Sequence, residues 1–168
     1  VVINNNVATF YIDGVAQGGG AFPLNSAGTT NAYIGNFNGT GGETFDGALD
    51  DVRVWGRALS ATEVEQLYDS TVPNFPTAGL VGHWPLDETS TGTITDASGN
   101  GNDGAWTDGV NNDVTEESVS APINTGIVFD GVNDQVQVPT VAGGIFDPDV
   151  ISISAWFYPT ALPSDSGV

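Results

Sequence analysis

The sequence predicts an all-β chain: an antiparallel two-sheet sandwich carrying one short helix. Three observations lead there. Short segments alternate apolar with polar residues, as strands with one buried face do. Turn-forming Gly, Asn and Asp separate those segments, with 23 Gly in a chain of 168 residues. Only one stretch has helical spacing with a cap, and many short strands with a single helix argue a sandwich rather than an α/β fold. At 39% hydrophobic residues the chain has enough apolar material for a core.

Taken in order, Val7 to Ile12 places Ala8, Phe10 and Ile12 on one face and Thr9 and Tyr11 on the other, and Asp13-Gly14 supplies a type I′ hairpin turn. Ala32-Tyr33-Ile34 forms a short strand ended by Gly35-Asn36. Asp50 to Trp55 sets Val52 and Val54 against Arg53 and Trp55. The helix follows at Ser60: Ser60 and Glu63 read as a capping box, and Val64, Leu67 and Tyr68 share one stripe at i, i+3, i+4. Ser70 to Thr77, with Pro73 and Pro76, reads as a connector. Leu80 to Trp84, Gly126 to Phe129, Gln135 to Val138 and Ile151 to Tyr158 are the remaining strands, with Trp84 and Trp156 expected in the core. The segments beginning at Phe45 and Phe129 share the pattern F-D-G-x-x-D-x-V-x-V, expected to be one turn-into-strand device used twice.

Charge excludes whole classes of partner. Against 21 Asp and Glu stand 2 basic residues, Arg53 and Arg57, for a formal charge of -19. Phosphate backbones and anionic lipid surfaces need a cluster of cations, so neither nucleic acid nor a membrane surface is an expected partner. No apolar run is long enough to span a bilayer, and the stretch carries no signal-peptide pattern, so any export signal is expected outside it. Without cysteine there is no disulfide, zinc thiolate or thiol catalysis. Richness in Gly, Asn, Thr and Ser without Lys fits an extracellular, secreted protein.

Residues 45–68, from Phe45-Asp46-Gly47 through Val52-Arg53-Val54-Trp55 to the Ser60 helix, resemble the last strand and terminal helix of bacterial laminin-G-like (concanavalin A-like) jelly-roll modules. Residues 79–104, Gly79-Leu80-Val81-Gly82-His83-Trp84-Pro85-Leu86-Asp87-Glu88 and then Asp96-Ala97-Ser98-Gly99-Asn100-Gly101-Asn102-Asp103-Gly104, resemble the opening of the same kind of module. The resemblance implies a C-terminal half at 1–69, a linker at 70–77 and an N-terminal half at 78–168, in reversed order. It also implies that the strand at Leu80 lies beside the strand at Val52, so a short linker can join the old ends. Such modules carry further strands after the one resembling Ser152 to Tyr158. A cut across two tandem modules, a permuted single domain, or halves completed by neighbouring copies all follow from that, and the last would use open sheet edges.

The strongest chemical motif is the loop Asp96 to Asn102. Oxygen side chains at Asp96, Ser98, Asn100 and Asn102, with Gly101 at the sixth position, follow the logic of a calcium loop, though Thr107 stands where an EF-hand needs Glu. The same residues also make an Asn-Gly turn in which Asp96 caps backbone amides. The resemblance implies calcium where this loop meets the closing strand, with Asp50 completing the shell and Asp134 a second candidate.

Catalytic chemistry finds little support. A glycan hydrolase needs two carboxylates facing each other, and no Glu-x-Asp-x-x-Glu or equivalent is present; Glu116-Glu117 sits in a polar stretch. His83, the one histidine, is expected to be a sandwich residue, and no Ser-His-Asp set suggests itself. Among aromatics able to stack on a sugar face, Trp106 is the one in a loop context and the expected exposed ligand-binding residue. The expectation is a non-catalytic adhesion or ligand-binding module of a larger surface protein, with surface glycan, neighbouring copies or adjacent modules as partners. The alternative is a repeat subunit of an extracellular filament built by half-domain complementation, and a glycan hydrolase ranks below both.

Overall fold

In the computed structural model, which describes residues 1–22, 31–37, 44–69, 75–89, 92–108, 118–139 and 150–160, the chain runs through β1 (Val2–Asn4), β2 (Val7–Ile12), β3 (Val15–Ala21), β4 (Ala32–Ile34), β5 (Asp46–Trp55), α1 (Ala61–Tyr68), β6 (Leu80–Trp84), β7 (Thr93–Ile94), β8 (Gly104–Thr107), β9 (Ser118–Ser120), β10 (Thr125–Asp130), β11 (Gln135–Val138) and β12 (Ile151–Pro159). The strands form two antiparallel sheets. The larger runs β3-β2-β1-β12-β5-β10-β9 with β6 also on β5, and the smaller runs β4-β11-β8-β7.

Strand β5 organises the larger sheet. One edge pairs with β12 along its length, while the other is divided, with β10 beside Asp46 to Leu49 and β6 beside Val52 to Trp55. Leu49, Val52 and Val54 point between the sheets and join Trp84, Trp106 and Phe129 in one core, sealed by edge-on contacts of Phe129 with Trp106 at 5.1 Å and with Phe45 at 6.4 Å. Rings of this size each contribute on the order of 2–3 kcal/mol when fully buried. Trp55, on the opposite face, is also buried, in a second cluster with Val2 and Leu59 beneath the helix, and its indole N–H donates to the Pro76 carbonyl at 2.7 Å.

Local chemistry accounts for the connections. Both residues of the Asn5-Asn6 turn and both of Asp13-Gly14 have positive φ, the requirement of the tight turns that close the β1–β2 and β2–β3 hairpins. At the helix N-terminus Ser60 Oγ accepts from the Glu63 amide and the Glu63 carboxylate accepts from the Ser60 amide, the reciprocal capping box. Arg57 donates to both Glu63 carboxylate oxygens, at 3.0 and 2.6 Å. These bonds, from Arg57 first and then from Ser60, pull the Glu63 carboxyl down to about 2. Ser152 Oγ accepts from the Leu59 amide and donates to the Arg57 carbonyl, which pins the approach to the helix onto β12.

Three expectations need correction. The two F-D-G segments share a positive-φ Gly and a buried Val pair, but not the turn: Asp46-Gly47 begins strand β5, whereas Asp130-Gly131 opens the turn between β10 and β11. They meet because Phe129 registers opposite Gly47 across the two strands. Trp106 is no loop aromatic. It lies on β8 at 2% exposure with its ring in the core, since Gly104 and Trp106 share the inward side of that strand. Trp156 is not in the core either, but half-buried on the outer face of the larger sheet against Tyr68. Of the connector, residues 70–74 lie outside the described residues, while Phe75 packs on the sheet rather than spanning it freely.

Candidate functional site

The outer face of the larger sheet holds a cleft under α1, and its floor begins with an irregularity in β5. Between Arg53 and Asp50 that strand takes one more residue than β12 does between Ser154 and Trp156, the signature of a bulge. Asp51, with φ of 56°, carries the bulge, and its amide donates to the Pro85 carbonyl at 3.2 Å instead of continuing the ladder. Asp is among the few L residues that enter this left-handed region readily.

The bulge gathers a buried polar group. Asp51 Oδ1 lies 2.7 Å from His83 Nε2, and Asp51 Oδ2 lies 2.5 Å from a terminal guanidinium nitrogen of Arg53. Phe75 covers both partners of Asp51, with the Arg53 guanidinium carbon 4.1 Å from its ring centroid and the His83 ring edge-on at 5.4 Å. Burial pushes the Arg53 guanidinium below its ordinary value, while Asp51 and then Asp50 oppose that fall. Such a pair is held by geometry: removal of one partner leaves an uncompensated buried charge. Arg53 Nε, in a side chain 9% exposed, has no hydrogen-bond partner among the described residues.

Above this floor the cleft has a volume of about 490 Å³. Tyr11 and Ile12 of β2 form one wall and Ser154 to Phe157 of β12 the other, and Val64, Leu67 and Tyr68 of α1 form the roof. Tyr68 spans the opening: its ring sits 5.8 Å from that of Trp156, and its Cβ would lie 3.3 Å from a Cβ placed on Gly14 of the hairpin turn. Apolar and aromatic walls with a few convergent polar groups are the usual composition of a ligand site.

The residues expected to hold calcium separate into three places. In the 96–102 loop, Asp96 Oδ1 accepts from the His83 and Ser98 amides, and Oδ2 from Ser98 Oγ and the Asn102 amide. Burial alone would raise the Asp96 carboxyl, but the Ser98, His83 and Asn102 bonds together bring it below its ordinary value. The Asn100 and Asn102 side-chain amides donate to the Val81 carbonyl at 3.1 and 2.9 Å, which binds the loop to β6. These bonds order the loop as an Asx turn. Asp134 accepts from the Asp130 amide in the β10–β11 turn. Asp50 accepts from the Ile123 amide, and its Oδ1 is buried without a hydrogen-bond partner among the described residues. Burial first, then Asp51 and Asp87, push its carboxyl up to about 6 against the Ile123 bond.

Among the described residues no three His, Asp or Glu side chains converge as a metal shell. The orphaned Asp50 oxygen is the one feature of the set that fits a cation. His83 is a buried sheet residue, as its place in an apolar strand implies. Glu116-Glu117 lies outside the described residues.

Sequence reasoning missed the cleft. Its signals were Asp51 beside Asp50 in a strand otherwise alternating, an extra residue that shifts the pattern, and Ser154 and Trp156 sharing a face opposite Ile153 and Phe157.

No helix among the described residues is long and apolar enough to cross a membrane. Comparison with known proteins finds no match among curated proteins and none among solved structures. The sequence profile described as the concanavalin A-like lectin/glucanases superfamily matches residues 1–65, a span that holds the β1–β3 hairpins, all of β5 and the first half of α1. Among the described residues, the mostly-β architecture of two antiparallel sheets and a single short helix is consistent with that superfamily's sandwich.

Proposed function

We propose that this chain is a non-catalytic ligand-binding module of an extracellular surface protein, and that its ligand enters the cleft beneath α1. One observation carries the reading: a cleft of about 490 Å³ walled by Tyr11, Tyr68 and Trp156 has at its floor a buried guanidinium N–H, that of Arg53, without a partner. An unmade hydrogen bond from a charged donor is costly, and a ligand acceptor satisfies it. A glycan hydroxyl stacked on Trp156 and a peptide carbonyl both meet that need, and the superfamily match over residues 1–65 supports binding of carbohydrate as one option. Calcium enters through Asp50: an ion on its buried Oδ1 would tie β5 to the turn at Ile123 and fix loops without touching the ligand.

The direct test is a panel of immobilised glycans and extracellular polypeptides probed with the 168-residue protein, binding being read as the protein retained on each. Binding that Trp156→Ala weakens at least tenfold, with folding unchanged, is the expected result. Binding insensitive to Trp156, or none at all, removes the cleft from consideration.

A second reading, a filament subunit completed by neighbouring copies, has its own observation. Phe10, Ile12, Val15 and Phe157, all at least half exposed, stand on the side of the larger sheet that faces the smaller one. An uncovered apolar row of this kind favours protein contact. Growth of mass with concentration would support it.

A further inference from the structure

The β2–β3 hairpin is an uncharged stretch of an acidic chain. Of 21 Asp and Glu, only Asp13 falls within residues 7–22. The same stretch holds Val7, Phe10, Ile12, Val15 and Phe22, each between 49% and 62% exposed. Its second strand, β3, stands at one end of the larger sheet and is exposed at all seven residues, with no strand on its other side among the described residues. Edges of this kind are usually blunted by Lys, Pro or an inward charge. Val15–Ala21 carries none of these, and its one irregularity is a bulge at Gln17, the residue that β3 has extra between Ala16 and Gly18.

Beyond the bulge the edge is regular. The Phe22 amide donates to the Asn6 carbonyl at 2.7 Å, so Phe22 turns its backbone toward β2. Successive strand residues alternate in this respect, so Ala21 and Gly19 turn their backbone groups to the open side and Gly20 turns its own to β2. Side chains alternate between the faces as well. Gly18 and Gly20, paired with Phe10 and Ala8, lie on the face toward the smaller sheet, as Phe22 does. A Cβ at Gly18 or Gly20 would meet nothing within 4 Å, so the strand carries an open notch beside Phe10.

We infer that β3 is the contact surface for a second copy of this chain, the two edges pairing antiparallel about a two-fold axis at Gly20 and continuing the larger sheet across both molecules. In that register Gly19 of each copy exchanges both backbone bonds with Ala21 of the other, and Gly20 faces its own copy at the closely spaced position, which suits a residue without a side chain. Phe22 of one copy falls opposite Gly18 of the other, where its ring fills the notch and meets Phe10 across the bare glycine. Axes at Gly18 or Gly19 would instead set the bulge at Gln17 against Gly19 or Ala21. A neutral edge offers no charge to select a foreign strand, whereas the match of Phe22 to Gly18 is one that a copy of this chain supplies. The net charge of -19 opposes self-association, but Asp13 lies seven residues from Gly20, about 20 Å along the strand and beyond the screening length of about 8 Å at physiological salt. The contact buries on the order of 800 Å² over both copies, less than a standard interface, which sets a reversible dimer rather than an obligate one. Two-fold symmetry closes it at two copies, unlike the repeating contacts of the filament reading.

Sedimentation equilibrium of the 168-residue protein from micromolar to millimolar concentration, at low and at high salt, tests this. The expected result is a mass rising from 17.3 kDa to a plateau at twice that value, favoured by salt because screening weakens the repulsion. Hydrogen exchange at Gly19 and Ala21 should slow as the dimer forms. Ala21→Pro removes an amide on the open side and leaves the bonds to β2, and Phe22→Ala empties the notch without altering the backbone. Each should weaken dimerisation about tenfold or more, with the dilute protein melting as the wild type does. Phe22→Ala decides the matter should Ala21→Pro disturb the hairpin. A mass that stays at 17.3 kDa throughout overturns the inference. Growth past the plateau, or a dimer indifferent to both variants, also overturns it and assigns self-association to another surface. The cleft reading stands or falls separately, because β3 is not among its walls and retention of dilute protein on immobilised ligand reads it.

Discussion

His83 Nε2 and Asp51 Oδ1 lie 2.7 Å apart across two paired strands, on residues 32 positions apart in the chain, and Arg53 closes on the other Asp51 oxygen at 2.5 Å. One bulge therefore brings Asp51 and Arg53 together at the floor of the cleft with His83 bonded beside them, and loss of the central carboxylate leaves two buried groups without their partner at once.

Asp51→Ala should be the most damaging single change in this group. It leaves the Arg53 charge unpaired and places a residue with no polar side chain at positive φ, for a loss of about 3–5 kcal/mol. Asp51→Asn tolerates the backbone and keeps an oxygen for Arg53, so its loss should be smaller. Urea unfolding of the two variants checks the order; equal losses would mean that the carboxylate charge is irrelevant.

The capping carboxylate makes stability sensitive to acid. Glu63 titrates at about 2 in the fold against 4.5 ordinarily, so its contribution is present above pH 4.5 and is lost as pH falls toward 2. The group is partly exposed, so solvent screening keeps the effect to about 1 kcal/mol. Glu63→Gln should flatten the wild-type fall in melting temperature over that window; an unchanged slope would assign the fall to other carboxyls.

Asp50 acts in the opposite sense. Its carboxyl titrates at about 6 in the fold against 3.8 ordinarily, so from pH 4 to 6 the folded chain keeps a proton that the unfolded chain has lost. Stability contributed by that proton declines as pH rises across the window, by at most about 3 kcal/mol. In chelator, Asp50→Asn should therefore gain on the wild type from pH 4 to 6. Added calcium should raise the wild-type melting temperature at pH 7 and leave the Asn variant unmoved. A wild type indifferent to calcium would leave no role for the ion at Asp50.

Trp106 and Trp156 should separate stability from binding. Trp106→Ala removes a fully packed ring and should cost about 3–5 kcal/mol. Trp156→Ala removes a half-buried cleft wall and should cost less than half as much while weakening ligand binding, read by retention of the protein on immobilised ligand. Parallel thermal melts and titrations distinguish them, and the reverse pattern would relocate the site to the core side of β8.

Much of the fold was legible because its determinants are local. The Asp13-Gly14 hairpin, the Ser60–Glu63 cap, the faces of the strands at 7–12 and 50–55, and the presence of strands at 80–84, 126–129, 135–138 and 151–158 follow from turn chemistry and period-two alternation. The start of β5 was not, because Asp46-Gly47 carries the composition of a turn and is held extended by β10 and β12 on either side. Trp106 misled for a related reason. Its Gly and Asp neighbours look like a loop, but the pairing of Val136 opposite Trp106 makes it a strand residue with an inward ring.

The sequence by itself determined the secondary-structure periods, the turn positions, the helix cap and the acidic charge that limits the partners, since each depends on residues within a few positions or on composition alone. Only the tertiary structure decided which strands are neighbours, that β5 bulges at Asp51, that Asp96 is bonded within its loop while Asp50 keeps a bare oxygen, and that Trp156 rather than Trp106 faces a cleft. Alternation states which side of a strand is apolar, and carries no information on what stands opposite. That choice is made by long-range pairing between strands distant in the chain.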